Sequence, residues 1–422
     1  MLRDGCRFCG TLLQHVFLDL GMSPLANSYL KAHQLNQMEP FYPLRAFVCE
    51  QCLLVQLEEF ESPDHIFSDY AYFSSFSDVF LQHAKDYVDM AVERFSLGAQ
   101  SYVVEIASND GYLLQNFVAR GIRVLGIEPA KNVAEVAIKK GVPSCVKFFG
   151  TQTARELVAE ERRPDLIIGN NVLAHVPDLN DFVGGLKILL APEGIITIEF
   201  PHLMHLMALN QFDTIYHEHF SYFSLTTVNQ VFAKHGLTIF DVDEISTHGG
   251  SLRIYARHDE HQLKPVTERL MALKKKEEAQ GFATLAHYLS FSEKAREVKR
   301  ALLEFLIRAK REGKSIVAYG AAAKASTLLN YCGVRQDFVD YLVDRSTYKQ
   351  GHWLPGVHIP IHDPERIKET KPDYVLILAW NLKEEIMKQM SYVRNWGGQF
   401  VVPIPEVRIC PDQYVEGSSF AK

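Results

Sequence analysis

An α/β fold is predicted for this 422-residue chain, with two Rossmann-like blocks behind a small cysteine-bearing lobe. Three observations carry that expectation. From about residue 100, apolar runs alternate with tight turns and helical stretches, the pattern of an open parallel sheet. A second block of the same kind starts near residue 315. Four of the seven cysteines fall within the first 52 residues, as two Cys-x-x-Cys pairs.

The pairs are Cys6 with Cys9 and Cys49 with Cys52. A Cys-x-x-Cys turn points two thiolates at one centre, and two turns complete a tetrahedral four-sulfur zinc site. Four protein ligands leave no open position, so this Zn2+ is expected to hold a fold rather than to catalyse. The gap between Cys9 and Cys49 exceeds the usual zinc-ribbon loop, so the intervening segment is expected to form a small lobe. Residues 1–65 are taken as this domain.

The first block opens with "SYVVEIASNDGYLLQNFVARGIRVLGIEPA". An apolar strand ends at Glu105, turns through "ASNDG" into a helix, and is followed by a second strand ending at Glu128. Acidic strand ends at this separation accept ribose hydroxyls. A dinucleotide site, however, wants glycines that let a pyrophosphate approach bare backbone at the helix start. Here Ala107 replaces one glycine, only Gly111 remains, and Asn109 and Asp110 bring side chains to the turn. That pattern disfavours NAD and suits S-adenosylmethionine, which has no phosphate and carries two positive charges. Phe148 and Phe149 follow the third strand and fit either adenine stacking or the core. The apolar runs "DLIIGNNVLAHV" and "GIITIEFP" complete the block, with Asn170 on the cofactor side.

Residues 262–312 are rich in Lys, Glu, Ala and Leu and read as solvent-facing connecting helices. Then "KSIVAYGAAAKASTLLNY" gives strand, small-residue turn and helix again. Its backbone N–H groups and Lys324 could cradle a phosphate, or the turn could serve helix packing alone.

Composition sets outer limits. With 47% hydrophobic and 23% charged residues the chain is of ordinary globular make-up. A net charge of −7 argues against a nucleic-acid partner. No apolar run approaches the ~18 residues of a membrane span, and the start "MLRDGCRFCG" lacks the core of a signal peptide. A cytoplasmic monomer is expected.

One stretch stands out: "FDTIYHEHFSY" packs Tyr216, His217, Glu218 and His219 among aromatics. A metal site, a general base with its helper, and a merely polar loop compete for it. Adjacent residues point in different directions and no third ligand cluster is apparent, so the metal reading has least support.

Taken in order, the cysteine lobe, "EIASNDG", "NNVLAHVPD", "YHEHFSYFS", "HGGSLR" and "YGAAAKASTLLNY" resemble the S-adenosylmethionine-dependent sugar C-methyltransferases. Those enzymes methylate C3 of nucleotide-linked 4-keto-deoxysugars. The resemblance spans essentially the whole chain and includes the glycine-poor first turn. It implies three domains: zinc-binding (1–65), methyltransferase (66–245) and a C-terminal Rossmann-like, nucleotide-sugar-binding one (246–422). Carbon–carbon bond formation needs a carbon nucleophile, which a sugar gains when a neighbouring ketone lets its proton leave as an enolate. A histidine base suits that step near neutral pH, and tyrosines can hydrogen-bond the enolate oxygen. The resemblance assigns this work to Tyr216, Glu218 and His219, with His219 the expected base and Glu218 its partner. It adds a tyrosine from "SDYAYFSS", either Tyr70 or Tyr72. Asn171 and His175 should face the sugar or the methyl donor, although His175 also reads as a helix-surface residue. His248, Ser251 and Arg253 are further substrate candidates, because the two glycines of "HGGSLR" allow close approach. An O- or N-methyltransferase would use the same base. A zinc-ribbon interaction protein with a degenerate methyltransferase domain is the non-enzymatic alternative, against which the intact strand-end acids and "YHEH" argue.

Overall fold

The computed structural model describes residues 5–61, 75, 78–160, 163–262 and 264–410. Two compact units divide the chain: Met1–His15, Phe47–Met204 and Glu218–Tyr288 form one, and Val16–Ala46, His205–His217 and Leu289–Lys422 the other. The chain therefore passes between units repeatedly, rather than once at each expected domain boundary.

Strands β1 (His15–Ser23) and β2 (Tyr42–Val48) occupy much of the segment between the cysteine pairs. That segment is not a lobe of its own, since Val16–Ala46 groups with the C-terminal unit. So short a stretch has too little apolar surface for a separate core. It buries Phe17 in a stack on Phe291, with ring centroids 5.1 Å apart. Leu30 and Trp353 exchange backbone hydrogen bonds of 3.0 and 2.9 Å.

In the first unit, β3 (Val55–Leu57) follows the second cysteine pair and α1 (Asp78–Phe95) follows in turn. On α1, Ala84, Tyr87, Val88 and Ala91 are buried at the i, i+3, i+4, i+7 spacing of a core-facing helix. The α/β block then runs through β4 (Tyr102–Ile106), α2 (Gln115–Val118), β5 (Arg123–Ile127), α3 (Lys131–Lys139), β6 (Ser144–Cys145), α4 (Thr151–Glu160), β7 (Leu166–Asn170), α5 (Leu179–Leu189) and β8 (Ile195–Pro201). Short β9 (Ser221–Tyr222) pairs antiparallel with β3. Helix α6 (Leu225–Lys234) and strands β10 (Leu237–Ile245) and β11 (Ser251–His258) complete it.

The seven-stranded sheet has the order β10-β11-β8-β7-β4-β5-β6. Its five neighbouring strands from β8 to β6 are parallel, and β10 and β11 are antiparallel. Every residue of β4 is buried, as parallel strands covered on both faces require. The chain builds outward from β4 to β6 and then returns to β7, which puts the switch point between β4 and β7. Ligands of such sheets bind beyond the strand ends there. The expected boundary at 245/246 falls inside the β10–β11 pair, where Ile245 faces Ser251, so the sheet continues to His258.

The connecting region forms α7 (Glu268–Ala279) and α8 (Phe291–Arg311), and neither is merely solvent-facing. Helix α8 buries Phe291, Ala295, Val298, Leu302, Phe305, Leu306 and Ala309 in one stripe. On α7, Glu277 is fully buried. It accepts 2.7 Å hydrogen bonds from the Leu225 and Thr226 N–H groups, which open α6, and its carboxylate lies 2.7 Å from His202 Nε2.

The C-terminal unit holds β12 (Ile316–Tyr319), α9 (Ala323–Cys332), β13 (Leu342–Val343), β14 (Ile361–His362), β15 (Tyr374–Ile377), β16 (Gln399–Val402) and β17 (Arg408–Ile409). Its sheet order is β14-β13-β12-β15-β16-β17, parallel except for β17. This is the second Rossmann-like block expected from the sequence.

Candidate active site

Cys6, Cys9, Cys49 and Cys52 converge, with all four Sγ atoms within 4.8 Å of one another. The Cys6–Cys52 and Cys9–Cys49 sulfurs are each 3.5 Å apart, and all four cysteines are free. Zinc–sulfur bonds of about 2.3 Å would place tetrahedral sulfurs roughly 3.8 Å apart, so this set fits a zinc ion. Gln56 Nε2 donates to Cys6 Sγ at 3.2 Å, as a group orienting a metal-bound thiolate does.

The turn after β4 is strained where the sequence lacks glycine. Ala107 and Asn109 sit at φ +56° and +49°, beside Gly111 at +76°. Left-handed backbone at non-glycine residues costs about 1–3 kcal/mol and gathers at functional sites. Four N–H groups of this turn are consumed inside the protein. Ala107 and Ser108 donate to the Ile127 carbonyl, Asn109 to Glu128 Oε2 at 3.0 Å, and Gly111 to the Ser108 carbonyl. A pyrophosphate would find none of these donors available. Asp110 is paired with Lys140 at 2.9 Å and with Ser75, so its charge is compensated within the fold.

Glu105 is different. It is buried, its Oε2 has no hydrogen-bond partner among the described residues, and burial pushes its carboxyl well above the usual range, with Glu128 and Asp110 adding to the shift. Burial likewise raises Glu128, against hydrogen bonds from the Ala130 and Asn109 N–H groups. Across the switch point, the Oδ1 atoms of Asn170 and Asn171 are also buried without a partner among the described residues, and Asn171 sits at φ +53°. Two carboxyls and two orphaned amide oxygens suit a ligand rich in donors and positive charge, which S-adenosylmethionine is. Phe149 packs edge-on against Phe182, with centroids 5.4 Å apart, while Phe148 is exposed.

The histidines are held with more precision than the sequence suggests. His175 ends a short turn of 3-10 helix, Leu173–His175. Its Nδ1 lies 2.8 Å from the Glu218 carbonyl, which can only accept, so Nδ1 carries the proton and Nε2 the lone pair. The Phe220 N–H donates to the Ala174 carbonyl at 2.7 Å and ties the same two segments together. The His175 and His219 rings meet edge to face with centroids 4.6 Å apart, and Tyr222 lies edge-on to His219 at 6.1 Å. Burial pushes His175 down to about 4, the Glu218 carbonyl opposing the shift. Glu218 and His219 are buried in the first unit, whereas Tyr216 and His217 group with the C-terminal unit. There His217 Nε2 is 3.2 Å from the Pro43 carbonyl and its ring packs on Tyr42. Tyr70 and Tyr72 lie outside the described residues.

The weaker substrate candidates are engaged within the fold. Ser251 donates to the Thr247 carbonyl at 3.0 Å. Arg253 donates to Glu199 at 2.9 Å and lies over the Tyr87 ring. His248 is left-handed (φ +55°) and packs against Phe80. Lys324 is a residue of the C-terminal unit, where its ammonium donates to Asn381 at 2.7 Å and covers the Trp380 ring. Burial lowers its affinity for a proton, and Asp213 opposes that. The sequence reading passed over Glu199, which accepts from Arg253 and Thr247 and lies 3.0 Å from His83 Nε2. The signal was available: Glu199 is a third acidic strand end, after Glu105 and Glu128.

A family model described as "Methyltransferase domain" matches residues 80–242. One described as "C-methyltransferase C-terminal domain" matches 246–405, and one described as "Putative zinc binding domain" matches 6–67. The C-methyltransferase NovU of Streptomyces niveus is 36% identical over 408 residues, which is 96% of each chain. A ubiquinone biosynthesis O-methyltransferase of Bartonella bacilliformis is 28% identical over 28% of this chain and 50% of its own length. Among solved structures, magnesium protoporphyrin IX methyltransferase (ChlM) from Synechocystis PCC 6803 covers 42% of this chain and 82% of its own, at 16% identity and a TM-score of 0.34.

Proposed function

The chain belongs to the S-adenosylmethionine-dependent C-methyltransferase family, and from that premise we propose that it methylates C3 of a nucleotide-linked 4-keto-deoxysugar through a base-generated enolate. The observation that carries the reading is the His175–His219 contact with the His175 proton already placed on Nδ1. His219 is the base that takes the proton from the sugar carbon next to the ketone. His175 stays neutral near pH 7, since burial holds it at about 4. An imidazolium forming on His219 therefore meets no like charge on the ring beside it. Glu218 sits next in the chain and orients or polarises the base. The electron pair left by the proton moves onto the ketone oxygen, where Tyr216, joined by Tyr70 or Tyr72, donates a hydrogen bond. Bound S-adenosylmethionine supplies an electrophilic methyl group to the nucleophilic carbon.

Glu105 and Glu128 hold the donor's charged and hydroxyl groups, with Ala107, Asn109, Asp110 and Gly111 shaping the turn and Phe149 and Asn170 beside it. Asn171, His175, His248, Ser251 and Arg253 are the acceptor-binding residues of this reading, and Lys324 is its residue for the nucleotide phosphate. We place the enzyme in the cytoplasm, where its unpaired thiols stay reduced. His219→Asn tests the assignment. It should bind S-adenosylhomocysteine and an accepted nucleotide-linked 4-keto sugar almost normally, yet lose roughly 10²- to 10⁴-fold in turnover. Full activity in that variant would reduce "YHEH" to a polar loop.

A further inference from the structure

Arg7 stands between two zinc ligands, in the turn Cys6-Arg7-Phe8-Cys9, yet the residue is only 8% exposed. Its guanidinium leaves the cysteine cluster for the histidine pair. Nη1 donates to the Pro177 carbonyl at 2.7 Å, two residues past His175. Nη2 donates to the Leu57 carbonyl at 2.5 Å. The guanidinium carbon lies over the ring of Phe220, 5.3 Å from its centroid and next in the chain to His219. One cation thus touches both segments that carry the imidazoles.

The root of this side chain is fixed by the metal turn. The Arg7 N–H donates to Gln56 Oε1 at 2.9 Å, and Gln56 Nε2 donates to Cys6 Sγ. Asn180, at the start of α5, grips the Arg7 and Phe8 carbonyls at 3.1 and 3.0 Å. Strand β3 continues the connection, since the Leu57 N–H donates to the Phe220 carbonyl at 3.0 Å. A planar fork with fixed donors suits two carbonyls at once, which a lysine cannot reproduce. The buried guanidinium here joins a metal turn to the segment of the candidate base.

We propose that Arg7 is a positioning residue for methyl transfer: rooted in the zinc turn, it clamps the segments bearing His175 and His219 against each other. The zinc site then sets active-site geometry as well as folding the N-terminal turns. This rests on the assignment of His219 as base.

The test compares zinc-loaded wild-type protein with Arg7→Met and Arg7→Lys. Metal analysis should give the same zinc content for all three, because the four thiolates remain. Histidine C–H resonances, assigned with His175→Gln, should titrate at about 4 for His175 in the wild type. In both variants that midpoint should move up toward the ordinary imidazole value as the loosened ring meets water. Turnover of a 4-keto sugar that the wild type methylates should fall roughly 10- to 100-fold with little change in KM, the effect of an ångström-scale misplacement. Arg7→Met combined with His219→Asn should be no slower than His219→Asn alone, since Arg7 acts through that ring. Should Arg7→Met fail to fold, Arg7→Lys, which keeps the charge, carries the same readings. An unmoved His175 midpoint, wild-type turnover, loss of zinc in step with activity, or multiplicative losses in the double variant would each overturn the proposal. Full activity in His219→Asn alone would sink the base assignment instead, a distinguishable result.

Discussion

His175 is partly buried with its proton on Nδ1, and burial lowers its affinity for a second proton, so its titration is a stability statement. In the unfolded chain this imidazole titrates near 6.5, and in the folded one at about 4. Above about pH 6.5 it is neutral in both states and contributes no pH dependence. As pH falls from there to about 4, only the unfolded chain gains the proton, so the folded state loses stability. The slope from one such group cannot exceed about 1.4 kcal/mol per pH unit. Chemical denaturation of the parent and of His175→Gln across this window should show the variant losing stability less steeply. Equal slopes would mean that burial does not hold His175 neutral in the folded chain. At the donor turn, Glu128→Ala should weaken the rise in melting temperature produced by S-adenosylhomocysteine, because a buried ribose diol would lose its acceptor. An undiminished shift would remove Glu128 from the donor site.

Among the elements, α6 is fastened by a residue from another helix. Glu277 accepts from the two N–H groups that open α6, from the Thr226 hydroxyl at 2.6 Å, and faces His202. Burial alone would raise its carboxyl, but the His202 and Thr226 hydrogen bonds outweigh that and leave it lowered. Its contribution is therefore present above the ordinary glutamate range and fades as pH falls through the depressed folded value. Removing it orphans several buried donors, so Glu277→Ala should cost about 3–5 kcal/mol in chemical denaturation, with Glu277→Gln in between. A loss below 1 kcal/mol would show the cluster to be dispensable. No local pattern warns of this, because Glu277 lies in a Lys- and Glu-rich stretch that resembles any solvated helix. By contrast, β4, β5, β7 and β8 were legible as apolar runs, since strands buried on both faces leave no room for polar residues. Strand β11 lies past the boundary expected at 245/246, and its pairing with β8 joins residues far apart in the chain, which no local pattern encodes.

Across the whole molecule, the sequence shows the cysteine cluster more plainly than it shows how the chain is shared between the two compact units. Cys6, Cys9, Cys49 and Cys52 announce themselves by spacing, and the turn after β4 by its two acidic strand ends. The crossings between units depend on where Phe17 and Leu30 find partners, and spacing is silent on that. Arg7 was invisible for the same reason: an arginine beside two cysteines looks like surface until its carbonyl partners are known. Structural zinc binding is folding energy, so metal analysis should find one zinc per chain, and stripping it should melt the cysteine turns. Zinc-free protein with unchanged stability would refute that. S-adenosylhomocysteine should stabilise the protein and NAD should not, because four first-turn N–H groups are already spent. The proposed removal of a sugar proton by His219 is checked by incubating the zinc-loaded enzyme, without methyl donor, with dTDP-, GDP-, UDP- and CDP-linked 4-keto sugars in deuterated water. The proton next to the ketone should exchange in the sugar the enzyme accepts, and His219→Asn should slow that exchange about 10²- to 10⁴-fold. Methylation of a verified acceptor with that proton retained would contradict the account.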